Sequence, residues 1–157
     1  MAMKRLKQEY KSICKDINTF YSISPSEDDF LKWDFIVIGP PDTIYEGGMF
    51  SGYIVFPSNY PISPPIVYFN NIIHPNVYDD GKVCISILHE GVDSWGYEKS
   101  YERWTPTHTV DSIMTSIISM LSDPNFESPA NTNYSVLWKD KPDEYKKKIY
   151  HLVAKTQ

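Results

Sequence analysis

Cysteine is scarce in this sequence, which contains only Cys14 and Cys84. The two lie far apart and form no CxxC pair, which argues against a disulfide framework and a cysteine-rich zinc site. Two distant thiols are typical of a reducing compartment, so the sequence predicts a cytoplasmic or nuclear protein with free cysteines. The scattered histidines also lack ligand spacing, and we expect no metal.

Long apolar runs and an excess of positive charge are also missing. No hydrophobic run approaches the ~20 residues that span a bilayer, and the N-terminal stretch is amphipathic rather than signal-like. We therefore expect no direct membrane insertion, and we expect any membrane association of a chain ending at Gln157 to depend on a partner. The formal net charge of −5 argues against nucleic-acid binding, which usually needs a basic surface.

What remains is the composition of one packed domain. A chain of 157 residues with 41% hydrophobic content can bury a core without metals or disulfides. We predict a single domain over residues 1–157. Glycine is outnumbered by proline, seven to twelve, and this ratio indicates rigid loops.

Helical periodicity occurs near both ends of the chain. The first amphipathic stretch has apolar residues with a 3–4 spacing at Leu6, Tyr10, Ile13, Cys14 and Ile17. It predicts a helix with a basic exposed side and a buried, inert Cys14. A cleaner stripe predicts the core helix, from an N-cap at Thr109 to a stop at Asp123-Pro124. Two further helices are predicted, near residues 130–138 and from Pro142 onward.

Between these helices the sequence predicts strands and then a long irregular segment. Alternating or continuous apolar residues predict strands at 31–37, 49–56 and 66–69. Residues 24–29 are rich in turn formers. The stretch from Asn70 to about Pro106 has no clear periodicity, and so long an irregular segment in a compact domain is usually functional. This order of elements is typical of an α+β fold.

The irregular segment contains Cys84, shortly after the turn Asp79-Asp80-Gly81. From the residue alone, a buried loop thiol is the more ordinary interpretation, and a nucleophile is the alternative. A cysteine hydrolase would pair the thiol with His74, His89 or His108 as its base. No local protease signature supports that pairing.

Short motifs along almost the whole chain are similar to the pattern of ubiquitin-conjugating enzymes. The central motif is His74-Pro75-Asn76 followed by Cys84. The others, in chain order, are Gly39-Pro40, Tyr45-Glu46-Gly47-Gly48 with Phe50, Phe56-Pro57, Tyr60-Pro61-Ile62-Ser63-Pro64-Pro65, Trp104-Thr105-Pro106 and Pro124-Asn125. Each is weak alone, but their order and spacing identify the chain as a member of this family.

The resemblance implies a four-stranded antiparallel meander sheet flanked by an N-terminal helix, a core helix and two C-terminal helices. It implies that Cys84 lies in a shallow groove and accepts ubiquitin from the ubiquitin-activating enzyme as a thioester. A RING-type ubiquitin ligase would then help transfer it to protein lysine substrates. The activating enzyme uses the ATP, so no cofactor is expected. Two alternatives stay open: conjugation of another ubiquitin-like modifier, and a non-catalytic ubiquitin-binding relative.

The resemblance also gives roles to residues near the cysteine. Asn76 would stabilise the oxyanion, order the loop, or do both, and we favour the mixture. His74, with Pro75, is interpreted as a structural hydrogen-bonding residue rather than a base, and Tyr60-Pro61 is expected to be a cis peptide. Many relatives have an aspartate that helps to deprotonate the incoming lysine, and the matching position here is Ser128, whose hydroxyl cannot act as a carboxylate would.

An insertion at about residues 90–103 precedes the Trp-Thr-Pro motif. It resembles the acidic loop of the subfamily that acts in endoplasmic-reticulum-associated degradation and builds lysine-48-linked chains for proteasomal degradation. Its acidic residues are Glu90, Asp93, Glu98 and Glu102. Either Asp93 or Glu98 replaces the missing aspartate, or solvent and partners do. The plainer alternative is a solvated insertion without a role. The subfamily resemblance also predicts recruitment to the endoplasmic reticulum surface by a partner.

Partner surfaces follow by position from the same resemblance. Lys4 and Arg5 match the helix face that the activating enzyme contacts and that ligases contact in part. Ile62 and the loop Thr105-Pro106-Thr107 match the two loops that meet RING-type ligases. The alternative for Ile62 is ordinary loop packing, and Leu88 either gates this communication or merely packs.

Overall fold

The computed structural model describes residues 1–157, with four α-helices and one four-stranded antiparallel sheet. The helices are α1 (Ala2–Lys15), α2 (Val110–Ser122), α3 (Thr132–Asp140) and α4 (Pro142–Lys155). The strands are β1 (Tyr21–Pro25), β2 (Lys32–Ile38), β3 (Met49–Val55) and β4 (Ile66–Phe69), paired in the order β1-β2-β3-β4. The predicted α+β meander is confirmed. None of the helices has the length and hydropathy of a membrane span.

One face of the sheet is buried against the core. Along β2, Trp33, Phe35 and Val37 are buried and their neighbours are not, because successive side chains of a strand point to opposite faces. The residue patterns did not predict β1, since the turn formers near Pro25 masked a short edge strand. Pro25 ends that strand opposite Trp33, at a sheet edge where proline is tolerated.

The helix α2 packs against this face and is the core helix that the periodicity predicted. Thr109 caps it, with its hydroxyl accepting a hydrogen bond from the Ser112 backbone N–H at 3.1 Å. Its fully buried side chains include Ile113, Met114 and Ile117, each of which contributes roughly 1.5–3 kcal/mol on burial. A helix held this firmly gives the residues beside it a fixed position.

The prediction that Cys14 is buried is wrong. The buried residues of α1 are Ala2, Leu6 and Glu9, and Cys14 is exposed. A helix turns by 100° per residue, so Cys14, one step past the half-buried Ile13, is rotated away from the core. Ile17 lies beyond the end of the helix and is 83% exposed. The apolar spacing therefore extended the buried stripe too far.

A buried carboxylate joins α1 to the rest of the protein. Glu9 accepts hydrogen bonds from the Val110 N–H at 2.7 Å, from the Tyr60 hydroxyl, and from Arg5 Nε at 3.0 Å. The first of these places a negative charge at the N-terminus of α2, where the helix dipole favours it. Arg5 also donates to the His108 carbonyl at 2.8 Å. Arg5 is therefore half-buried and used within the fold, although the sequence placed it on the exposed basic face.

Candidate active site around Cys84

A tight turn brings Cys84 to the edge of the sheet. Gly81 has a φ of +93°, and a Cβ at this position would lie 2.1 Å from the Phe69 carbonyl oxygen, so only glycine fits. The Cys84 N–H then donates to the Asn76 carbonyl at 2.9 Å. The thiol is consequently half-buried and fixed by backbone bonds on a segment that is neither helix nor strand.

His74 lies fully buried on one side of the cysteine. Its Nδ1 accepts a hydrogen bond from the Asn76 N–H at 2.9 Å, so Nε2 carries the hydrogen and donates it to the Met120 carbonyl at 2.8 Å. Burial lowers the pKa of His74 to about 4, which keeps the ring neutral near pH 7. Because both ring nitrogens are occupied, this geometry is that of a structural hydrogen-bonding residue.

Asn76 and Pro75 tie the cysteine segment to the region after α2. Asn76 Nδ2 donates to the Asn125 carbonyl and Asn76 Oδ1 accepts from the Asn125 N–H, both at 2.8 Å. The Pro75 carbonyl accepts from the Asn131 N–H at 2.9 Å. Asn76 is 1% exposed, so its amide is engaged by the protein itself. Of the two roles expected for Asn76, ordering the loop has direct geometric support. We call His74 and Asn76, with their hydrogen bonds to the backbone of Met120 and Asn125, the buried side of the site.

The other side of the cysteine is built from His89 and the insertion that follows it. His89 Nε2 lies 3.4 Å from Cys84 Sγ, and His89 Nδ1 lies 2.7 Å from Glu98 Oε1. The same Glu98 oxygen accepts a hydrogen bond from Arg103 Nη1 at 2.6 Å. We call His89, Glu98 and Arg103 the loop side of the site. The sequence analysis named His89 only as the base of a hydrolase, and its place just after the Cys84 segment was the available signal.

These contacts change the acidity of the thiol. The hydrogen bond with His89 lowers the pKa of Cys84, against the opposing effect of burial. The pKa of His89 is raised by its hydrogen bond with Cys84 and then by Glu98, also against burial. A cysteine with a lowered pKa beside a histidine is typical of a nucleophilic thiol rather than of a structural one.

The four acids of the insertion have different surroundings. Only Glu98 contacts His89. Asp93 accepts hydrogen bonds from the N–H groups of Glu98 and Trp95, which lower its pKa. Glu90 accepts from the Ser63 hydroxyl at 2.9 Å, and Glu102 accepts from the Lys99 N–H at 3.0 Å. The insertion is therefore held by its own hydrogen bonds, and only part of it reaches the thiol.

An open cleft of about 730 Å³ lies between the two sides and α2. Cys84 and Ser128 both line it, as do Asp93 and Glu98. Ser128 thus lines the same cleft as the thiol, and the carboxylates that line it are Asp93 and Glu98 from the insertion and Asp123 and Glu127 from the end of α2 onward. No group of three or more His, Cys, Asp or Glu side chains is arranged to hold a metal ion.

The expected partner loops lie next to each other. Trp104 Nε1 donates to the Pro61 carbonyl at 2.9 Å, which places the loop of Ile62 beside the loop at 105–107. Ile62 is 59% exposed, which disfavours the alternative of ordinary loop packing. Leu88 is half-buried and packs against the core. The Tyr60-Pro61 peptide is cis, as expected.

A thiol with a lowered pKa in an open cleft beside α2 is suited to covalent cysteine chemistry on a large substrate rather than to a closed small-molecule pocket. The family model described as ubiquitin-conjugating enzyme matches residues 5–153. The chain therefore belongs to the ubiquitin-conjugating enzyme family, whose members are transferases with a cysteine thioester mechanism. Such enzymes work with ubiquitin, an activating enzyme and ligases.

Individual relatives agree with this assignment over nearly their whole length. The chain is 54% identical to ubiquitin-conjugating enzyme E2 7 of Arabidopsis thaliana, covering 97% of this chain and 93% of that protein. It is 44% identical to ubiquitin-conjugating enzyme E2-18 kDa of Schizosaccharomyces pombe, covering 99% and 96%. It is 42% identical to human ubiquitin-conjugating enzyme E2 G2, also covering 99% and 96%.

Proposed function

We propose that this enzyme accepts ubiquitin from the activating enzyme as a thioester on Cys84 and transfers it to a lysine with a RING-type ligase. The observation that supports this most directly is the position of Cys84, whose thiol opens into the cleft and contacts His89. The other cysteine, Cys14, lies on the exposed side of α1 and is not among the residues that line this cleft.

Thioester exchange at Cys84 makes one bond and breaks one. The Cys84 thiol loses its proton, and the thiolate attacks the carbonyl carbon of the ubiquitin C-terminal glycine. The new carbon–sulfur bond forms as the bond to the activating enzyme's cysteine breaks, and that departing thiolate takes up a proton. Because a thioester replaces a thioester, placement and electrostatic stabilisation matter more than strong acid–base chemistry. The fixed Cys84 and Asn76 segments provide that placement.

Transfer to lysine needs a neutral amine near the same thioester. Ser128 supplies no carboxylate, whereas Asp93 lines the cleft and its carboxylate is held by backbone N–H groups. We assign to Asp93 the role of accepting the lysine proton as the amine attacks, because its carboxylate lines the same cleft as the thiol and can also orient the incoming ammonium. Asp93→Asn should then raise the pH that lysine discharge needs, and an unchanged pH profile would contradict the assignment.

One continuous surface would bind both the activating enzyme and the RING-type ligase. Arg5 bonds to the His108 carbonyl, and Trp104 bonds to the Pro61 carbonyl. These contacts bring the start of α1, Ile62 and the loop at 105–107 together. An exposed isoleucine beside proline loops suits a small, transient interface. Both the activating enzyme and a RING-type ligase would use this surface, with Lys4 exposed at its edge.

We further propose that the product is a lysine-48-linked chain for proteasomal degradation, with the enzyme in the cytoplasm and recruited to the endoplasmic reticulum surface by a partner. The support is the similarity of the 90–103 insertion to that subfamily's acidic loop, and its direct contact with the active-site side chains. Mass spectrometry of the chains formed with a RING-type ligase tests the linkage. A mixture dominated by other linkages would contradict it.

Charging with ubiquitin is the decisive experiment. The protein is incubated with activating enzyme, ATP and ubiquitin, and a reductant-sensitive adduct is followed on a gel. We expect the adduct in wild type and in Cys14→Ala, and its loss in Cys84→Ala. Parallel reactions with other ubiquitin-like modifiers and their own activating enzymes test the alternative modifier. No adduct with any modifier would favour the non-catalytic relative.

A further inference from the structure

We propose that His89 accepts the proton of Cys84 during thioester formation, and that Glu98 and Arg103 hold the imidazole in position for that step. The inference rests on the function proposed above, because it concerns the loading of the same cysteine. It assigns a chemical task to the 90–103 insertion, for which the sequence offered only a resemblance to the acidic loop of a subfamily.

The geometry forms a continuous line of contacts from the thiol to a cation. Cys84 Sγ lies 3.4 Å from His89 Nε2, within reach of a sulfur hydrogen bond. His89 Nδ1 lies 2.7 Å and 3.0 Å from the two Glu98 oxygens. Arg103 Nη1 completes the line at 2.6 Å from Glu98 Oε1. A nucleophile, a base and a group that orients the base are the three parts of an activated nucleophile.

The contacts define which nitrogen carries the hydrogen. A carboxylate can only accept, so His89 Nδ1 donates to Glu98 and Nε2 presents its lone pair to the thiol. Arg103 fixes the carboxylate in turn, since its Nε and Nη2 also donate to the Gly91 and Glu90 carbonyls at 3.0 Å and 2.8 Å. The His89 carbonyl accepts from the Trp104 N–H at 3.0 Å. Backbone and side chain are therefore both held.

No other histidine is placed to do this. His74 uses both nitrogens within the buried side of the site. His108 Nε2 bonds to the Arg103 carbonyl at 3.2 Å. The charged and titratable groups around the pair are Glu98, Arg103, Glu90 and Asp93 on the insertion, Asp123 and Glu127, which line the same cleft, and Tyr78, whose hydroxyl lies 4.0 Å from Cys84 Sγ.

The proton balance of the step is simple. The Sγ–H proton moves to His89 Nε2, giving a thiolate and an imidazolium whose charge Glu98 stabilises. The thiolate forms the bond to the ubiquitin carbonyl carbon while the activating enzyme's thiolate departs. The activating enzyme's thiolate then takes the proton from the imidazolium, directly or through water, so His89 ends neutral and ready for the next cycle.

Thiol alkylation measures the first half of this step without any partner. In a Cys14→Ser background, which leaves one thiol, the rate of iodoacetamide reaction at Cys84 is followed from pH 5 to pH 10. We expect the rate near pH 7 to fall about tenfold in His89→Gln, as the half-rise moves up by about one pH unit. Glu98→Ala should shift in the same direction, and Glu98→Gln, which keeps an acceptor for Nδ1–H, should recover part of the loss.

Matched variants separate this effect from general changes. His151→Gln and Glu27→Gln remove the same groups at exposed positions whose side chains form no hydrogen bond or ion pair within the protein, and both should follow wild type. His89→Asn serves as a second variant if His89→Gln is poorly folded, and thermal unfolding of each variant checks the fold. An alkylation profile in well-folded His89 variants that matches wild type would overturn the proposal.

Charging by the activating enzyme measures the complete step. With His89→Gln we expect slow charging at pH 6.5 that recovers as the pH rises and thiolate forms without a base. Equal slowing at every pH would show a purely structural role and would also overturn the proposal. If wild type formed no adduct at all, the proposed function would fail instead, so the two failures are distinguishable.

Discussion

The two sides of the active-site cysteine differ in burial and in the kind of hydrogen bond that holds them. On the buried side, His74 and Asn76 have exposures of 0% and 1%, and neutral hydrogen bonds tie them to backbone groups. On the loop side, His89 and Glu98 are half-buried, and the Glu98 carboxylate accepts hydrogen bonds from the His89 ring and from the Arg103 cation, within a segment whose Trp95 is 82% exposed.

The difference separates two tasks. A buried neutral network holds the backbone near Cys84 in one position and is costly to disturb, because unpaired buried groups are not rescued by water. A half-exposed ionic contact is weaker and responds to pH and salt, which suits a group that must exchange protons. Stability should therefore depend mainly on the buried side, and the pH response of the thiol on the loop side.

The largest expected effect concerns His74 and acid. Its pKa of about 4 in the folded protein is below the usual 6.5, so the unfolded chain binds the proton first as the pH falls. Above about pH 6.5 the neutral, buried His74 contributes at most roughly 3 kcal/mol to the free energy of unfolding. This contribution is lost as the pH falls to about 4. Urea unfolding across this window should show a shallower loss in His74→Gln than in wild type. The exposed control His151→Gln should keep the wild-type slope, and identical slopes in all three would contradict the buried, neutral His74.

Next in size is the loss of the Asn76 side chain. Asn76→Ala removes both bonds to Asn125 and should lower the free energy of unfolding by about 2 kcal/mol. Asn76→Asp keeps the acceptor for the Asn125 N–H but places an oxygen against the Asn125 carbonyl, so it should rescue little. Urea unfolding gives these values. A fully stable Asn76→Ala that no longer transfers ubiquitin would instead favour the oxyanion role.

A smaller effect is expected from the ion pair of the loop side. A double-mutant cycle with Glu98→Gln and Arg103→Met should give a coupling energy of about 1 kcal/mol, reduced at high salt. The two side chains are only partly exposed, at 19% and 12%, so the coupling should not vanish. A value as large as the Asn76 effect would contradict the difference drawn between the two sides.

The smallest effect on stability should come from the exposed tip of the insertion. Trp95 is 82% exposed and lines the cleft, so Trp95→Ala should change the free energy of unfolding by less than about 0.5 kcal/mol. The rate of ubiquitin transfer should fall by more than this small change in stability would cause, because an aromatic side chain at the cleft is available to a partner. Single-turnover discharge compared with thermal unfolding separates the two, and a marked loss of stability would show that Trp95 packs against the protein.

Some elements could be predicted from the residues and others could not. The stripe of α2 with its Thr109 cap and the alternation of β2 are local patterns, and the structure confirms both. The edge strand β1 was missed and Cys14 was misplaced, because edge position and the end of a buried stripe depend on what packs nearby. The buried Glu9 also carried no sequence signal, since its partners Tyr60 and Val110 are distant in the chain.

By itself, the sequence determined the class of this protein: ordered motifs around Cys84, a core helix, and a sheet, all specified by local spacing and side-chain type. Only the tertiary structure decided which side chains hold the Cys84 segment in place and which one contacts the thiol. Asn76 meets Asn125 just past the end of α2, and Arg103 meets Glu98 and through it His89 across the insertion. Such contacts depend on distances and burial set by the packed chain, because hydrogen bonds and charge effects act over a few ångströms in space and not along the sequence.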